Sequence, residues 1–180
     1  MEVEFSFERS VEVLQRTPYA FDALLRGLSL DWIMSNEGGN TWSAIDVTAH
    51  LIYCDKANWL ARVRHILKYK ETKPFDALNR LGGFELSKDK SPDQLLDGFI
   101  QTRKQVLKEL QELSFSHDDM MAKGLHPQFG EVTISQLIAA WIVHDLSHLS
   151  QVCRVMAKQY GEAVGPWISY LRILNDNKNK

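Results

Sequence analysis

Residues 141–148 read WIVHDLSH, two histidines four apart inside an apolar run. An α-helix turns about 100° per residue, so His144 and His148 lie about 40° apart in projection and about 6 Å apart along the axis. Both leave the same face on successive turns. Leu137, Trp141, Gln151 and Val155 share that stripe, and most of it is apolar or aromatic. The face therefore points into a core, and a long amphipathic helix needs other helices to cover it.

Working outward, the helix starts at a capping Thr133 and runs to about residue 160, where Gly161 stops it. Three other segments share the period. Residues 5–28 carry a broken stripe of Phe7, Val11, Leu14, Ala20, Leu24 and Leu25, with Pro18 predicting a kink or a restart. Residues 43–68 open on Ser43, with Asp46 in the first turn. Residues 91–113 open on SPDQLL, where Ser91 is the N-cap and Pro92 the first helical residue. The stretches after the second and third helices read as long irregular connections, and no alternating strand pattern is visible. The expected fold is all-α, one four-helix-bundle domain over residues 1–180, with a short C-terminal helical tail. Connections of that length permit crossovers.

Bulk properties narrow the function classes. The chain has 180 residues, 44% hydrophobic content and a formal net charge of −2. That charge offers no electrostatic case for nucleic acid or an anionic membrane. No apolar run approaches the ~18 residues of a membrane span, and no signal-peptide pattern opens the sequence. Cys54 and Cys153 are isolated and read as reduced thiols, so a cytoplasmic location is expected.

Two buried imidazoles cost free energy unless their nitrogens find partners. A metal ion satisfies them, as carboxylates or carbonyls across the bundle also could. A metal needs a third ligand, and His50 on the stripe Val47, His50, Cys54, Ala57, Ala61 is the best candidate. Small residues at 57 and 61 would let a neighbouring helix approach. Three inward histidines from two helices match a catalytic site with an open position. Gln151, one turn beyond His148, is a candidate for orienting a ligand or substrate. Trp141 shares the ligand face. Cys54 reads either as a thiolate ligand or as a small buried core residue. Asp55 and Asp46 could orient an imidazole from off the stripe's centre. His126 reads as a loop histidine or as a fourth ligand folded over the site. His65 and His117 are expected at the surface. HDLSH falls one methylene short of the zinc-protease signature, and no sheet is visible to hold a substrate strand.

TWSAIDVTAHLIYCDKANWLARVRHIL and LHPQFGEVTISQLIAAWIVHDLSHLSQV together resemble the DinB-like (DinB/YfiT) superfamily of metal-dependent enzymes. PFDALNRLGGFELSKDKS and AVGPWISYLRIL are similar to one branch of it. The resemblance implies a four-helix bundle whose metal ligands are His50, His144 and His148, and it matches Asp55 to a frequent acidic residue. It also implies zinc or nickel, and for some members a low-molecular-weight thiol.

Two readings follow. One is a metal-dependent enzyme, a hydrolase or thiol S-transferase acting on a small molecule. The other is a bundle whose metal is structural and which works by association. Under either, Trp167, Ile168, Leu171 and Ile173 of the tail offer an apolar surface, and a homodimer is expected.

Overall fold

The computed structural model describes residues 4–79 and 81–175. Hydroxyl side chains open its long helices. Ser6 caps α1 (Phe7–Leu25) by accepting from the Arg9 N–H, and α2 (Leu30–Met34) is little more than one turn. Ser43 and Asp46 cap each other's backbone at the head of α3 (Ala44–Cys54). That rod passes through a single π turn, Asp55–Trp59, and continues as α4 (Leu60–Tyr69). The short α5 (Gly82–Ser87) precedes α6 (Pro92–Glu112), which the Ser91–Gln94 box caps. Next come α7 (His117–Met121), strands β1 (Lys123–His126) and β2 (Gly130–Thr133), and α8 (Ile134–Lys158), capped by Thr133 and Gln136. A 3-10 turn, Gly165–Tyr170, leads to α9 (Arg172–Asn175).

Four rods form the bundle: α1, α3–α4, α6 and α8. Both α1 and α3 pack against α6 and α8, so α1 and α3 occupy opposite corners. Two apolar clusters give the directions. One joins Phe21 and Leu25 late in α1, Ala44 and Leu51 in α3, Leu95 and Phe99 early in α6, and Val152 late in α8. The other joins Leu14 early in α1, Val63 and Ile66 in α4, Leu107 and Leu110 late in α6, and Ile134 and Leu137 early in α8. Thus α1 and α8 run one way while α3–α4 and α6 run the other, an up-down-down-up order. A chain leaving α4 must return along the whole bundle before α6 can begin, which is why that connection is long.

The expected four helices are present, with three differences. First, Pro18 lies inside α1 without a restart. It has no N–H to give the Leu14 carbonyl four residues back, and Arg103 Nη1 donates to that oxygen instead at 2.9 Å. Second, Ala57 and Ala61 are exposed rather than inward. The π turn adds one residue and rotates the stripe by about 100°, so Asp55, Asn58, Trp59 and Leu60 are buried in their place. Third, the connection before α8 holds an antiparallel hairpin pairing Lys123 with Thr133 and His126 with Gly130. Strands this short, rich in Gly and polar residues, are too brief to show a period of two. Phe75 N–H donates to the Leu125 carbonyl at 2.9 Å and ties the hairpin to the connection after α4.

The adjacent glycines of that connection belong to α5, which lies directly on α3. A Cβ on Gly83 would sit 2.8 Å from the Cα of His50, and one on Gly82 would sit 2.3 Å from the Tyr53 ring. Gly83→Ala is therefore expected to cost about 1–3 kcal/mol, because α3's backbone cannot yield as a flexible side chain would. Urea denaturation measures it, and an unchanged midpoint would show that α5 is free to move off. Trp167 and Tyr170 of the tail are exposed. No helix among the described residues is long and apolar enough to cross a membrane.

Candidate metal centre

His50 projects from the last full turn of α3, before the π turn, and His144 and His148 from the middle of α8. One ligand-capable atom from each imidazole lies within 4.8 Å of the other two. The Nε2 atoms of His50 and His144 are 3.3 Å apart. His50 is buried, whereas the His144 side chain keeps 25% of its surface, so the group can be approached from the α8 side.

Outer contacts select which nitrogen faces the centre. Gln151 Oε1 lies 2.8 Å from His148 Nδ1. An amide oxygen only accepts, so Nδ1 carries the proton and Nε2 keeps its lone pair. Burial, aided by His144, pushes His148 down to about 4, which leaves a neutral imidazole near pH 7. Among the described residues, buried His144 Nδ1 has no hydrogen-bond partner, nor does buried Asp145 Oδ1, and the two lie 3.7 Å apart. Asp145 therefore presents a carboxylate oxygen toward His144 Nδ1, while His144 Nε2 faces His50. A neutral His148 oriented by Gln151, with ligand atoms of three imidazoles gathered at one point, is what a divalent ion requires, so the residues present fit a metal.

Below the imidazoles runs a buried ionic layer that sequence reasoning missed. Arg103, 1% exposed, donates from Nε and Nη2 to both oxygens of Asp55 at 2.9 Å, and from Nη1 to Asp145 Oδ2 at 2.6 Å. Burial pushes the Asp55 carboxyl up to about 6 against the pull of the guanidinium. One arginine faces two carboxylates, and the uncompensated oxygen, Asp145 Oδ1, is the one turned to His144. That excess of negative charge favours a cation at the imidazoles. Arg103 was detectable in principle: it sits at core spacing among Leu96, Phe99, Val106 and Leu110, where an arginine implies buried anions.

Tryptophans wall the centre. Trp42 lies 4.7 Å from the His50 ring and nearly parallel to His148 at 6.1 Å, with Phe84 of α5 edge-on behind it. Trp59, carried inward by the π turn, meets His144 edge-on at 5.1 Å and stacks on Trp141 at 5.9 Å. Trp141 thus contacts Trp59 and the Arg103 guanidinium, one layer beneath the imidazoles.

Of the other expected residues, Cys54 Sγ is 3.4 Å from His50 Nε2. Burial and the two aspartates push its thiol up to about 12, and it packs in the apolar cluster with Leu14, Trp59 and Trp141. Asp55 grips Arg103 rather than an imidazole, and Asp46 serves the α3 cap. His126 is not over the site. It belongs to β1, stacks on Phe129, meets Phe75 edge-on and accepts the Gln128 and Phe129 N–H groups at Nδ1. His65 is half-buried and pairs with the Lys73 carbonyl, whereas His117 is exposed.

A family model for the DinB superfamily matches residues 13–152. The chain belongs to the DinB superfamily. Two solved structures share the fold of this DinB chain. YfiT from Bacillus subtilis, described as a probable metal-dependent hydrolase with an unusual four-helix bundle topology, is 15% identical. Its TM-score is 0.72, over 89% of this chain and 93% of that one. TT2238, described as a four-helix bundle protein, is 19% identical with a TM-score of 0.55, over 82% of this chain and 98% of that one. No curated protein matches the DinB chain.

Proposed function

We propose that the chain is a metal-dependent hydrolase of a small molecule, with a divalent cation, zinc or nickel, held by His50, His144 and His148. The observation that carries this is the convergence of three imidazoles from two helices, with their ligand atoms within 4.8 Å of one another. The description of YfiT as a probable metal-dependent hydrolase supports the same reading. A bound divalent cation would supply Lewis acidity.

The chain's own residues perform the positioning. Gln151 sets the tautomer of His148, the Asp145 carboxylate faces His144 Nδ1 at 3.7 Å, and Trp42 and Trp59 flank the imidazoles. The partial exposure of His144 leaves the approach through which a small substrate enters. Fixing three donors in advance lowers the ordering cost of capturing the ion.

Elemental analysis of the purified protein, followed by assays on small esters and amides before and after chelation, tests the proposal. About one equivalent of metal is expected, with hydrolysis lost on chelation and restored on metal return. Protein that takes up no divalent metal would refute the site. Tight metal that only raises the melting temperature, with no turnover across the panel, would make the ion a structural staple and refute the enzyme.

A further inference from the structure

Gln151 has two hydrogen-bonding ends, and the metal centre uses one. Its Oε1 is committed to His148 Nδ1 at 2.8 Å. The amide group is planar, so fixing the oxygen also fixes the nitrogen, which carries two N–H donors. Among the described residues that nitrogen has no acceptor. Gln151 is half-exposed, so these donors stand at the edge of the site and not inside the core.

Their place on α8 matters. Gln151 follows His144 by seven residues, and the two lie about 20° apart in projection. Both border the side from which the imidazoles are approached, where the His144 side chain keeps 25% of its surface. Trp42 meets the same His148 ring, nearly parallel to it at 6.1 Å, and is half-exposed, as is Phe84 beside it. An oriented donor and a flat apolar ring thus adjoin one imidazole. The charges nearby are already spent. Asp145 is buried against Arg103, and Arg154, one turn beyond Gln151, forks onto both oxygens of Glu37 at 2.8 and 2.9 Å. A carboxylate set beside Gln151 would lose water without meeting an open guanidinium. A neutral carbonyl needs only the N–H that Gln151 offers.

We infer that Gln151 is a specificity-determining residue: its amide N–H donates to a carbonyl oxygen of the substrate while Trp42 lies against the flat group next to that carbonyl. The molecule taken is therefore an uncharged aryl carbonyl compound. As a statement about substrate this rests on the hydrolase reading, whereas the binding itself needs no metal.

Benzamide is the probe, titrated into metal-free protein and followed by NMR of the Gln151 side-chain NH2 and Trp42 indole N–H signals. Both should move. Gln151→Glu keeps an acceptor for His148 Nδ1 and removes the donor, so it separates the two ends. Its zinc affinity, measured by chelator competition, should stay at or above that of wild type, while benzamide affinity falls about tenfold, the effect of one hydrogen bond. Benzoate and cyclohexanecarboxamide should bind less tightly than benzamide, the first for its charge and the second for its missing flat face. Benzamide that moves neither signal, or that binds Gln151→Glu unchanged, overturns the role of Gln151. Zinc and benzamide affinity falling together in that variant would show that Gln151 only orients His148, and overturns it too. Either comparison probe matching benzamide overturns the substrate class. Protein that takes up no zinc yet binds benzamide through Gln151 ends the hydrolase reading and leaves the subsite standing. Zinc-dependent ester hydrolysis with unchanged benzamide binding in Gln151→Glu does the reverse.

Discussion

Replacing Arg103 with methionine is expected to destabilise the protein by about 3–5 kcal/mol, the cost of leaving buried charge uncompensated. The guanidinium is 1% exposed and serves three acceptors: Asp55 at both oxygens, Asp145 Oδ2, and the Leu14 carbonyl that Pro18 leaves free. Without it, two buried carboxylates are left without their cation between two apolar clusters. Urea denaturation is the measurement, and a loss below about 1 kcal/mol would show that the layer is wetter than its burial indicates. A companion variant separates stability from positioning. Changing Asp55 and Asp145 to leucine together with Arg103→Met removes every charge, and such replacements are often neutral or stabilising. That triple variant should regain most of the lost stability while still binding metal poorly, because His144 Nδ1 then has no carboxylate to face.

The second large effect is on the metal. His144→Ala removes one of three converging donors, and its loss of affinity should exceed the about 10–100-fold expected when only an outer hydrogen bond is removed. Gln151→Ala supplies that smaller comparison, since Gln151 touches His148 Nδ1 at 2.8 Å and lies half-exposed at the edge of the site. Competition against a chromophoric zinc chelator ranks the three proteins: wild type tightest, Gln151→Ala intermediate, His144→Ala weakest. The ranking has a structural reason. Gln151 only fixes a ring that still has its lone pair, whereas alanine at 144 takes the lone pair away. Equal affinity of all three proteins would remove the imidazoles from the metal site.

The sequence by itself determined what a single helix determines. Ser43, Ser91 and Thr133 marked three starts, and the four-residue spacing of His144 and His148 placed both rings on one face, because caps and periodicity depend only on backbone geometry within a few residues. The inward direction of His50 was legible too, since its stripe is regular as far as Cys54. Beyond that point the reading slipped, because the π turn at Asp55–Trp59 shifts the phase by one residue, leaves Ala57 and Ala61 outside and carries Trp59 to His144. Only the tertiary structure decided the rest: the diagonal placement of α1 and α3, the pairing of Arg103 with partners 42, 48 and 89 positions away, and the descent of α5 onto His50 through two glycines. Those contacts join residues whose local patterns are unremarkable on their own. Their energies come from burying charge and closing backbones together, which no short window of sequence encodes.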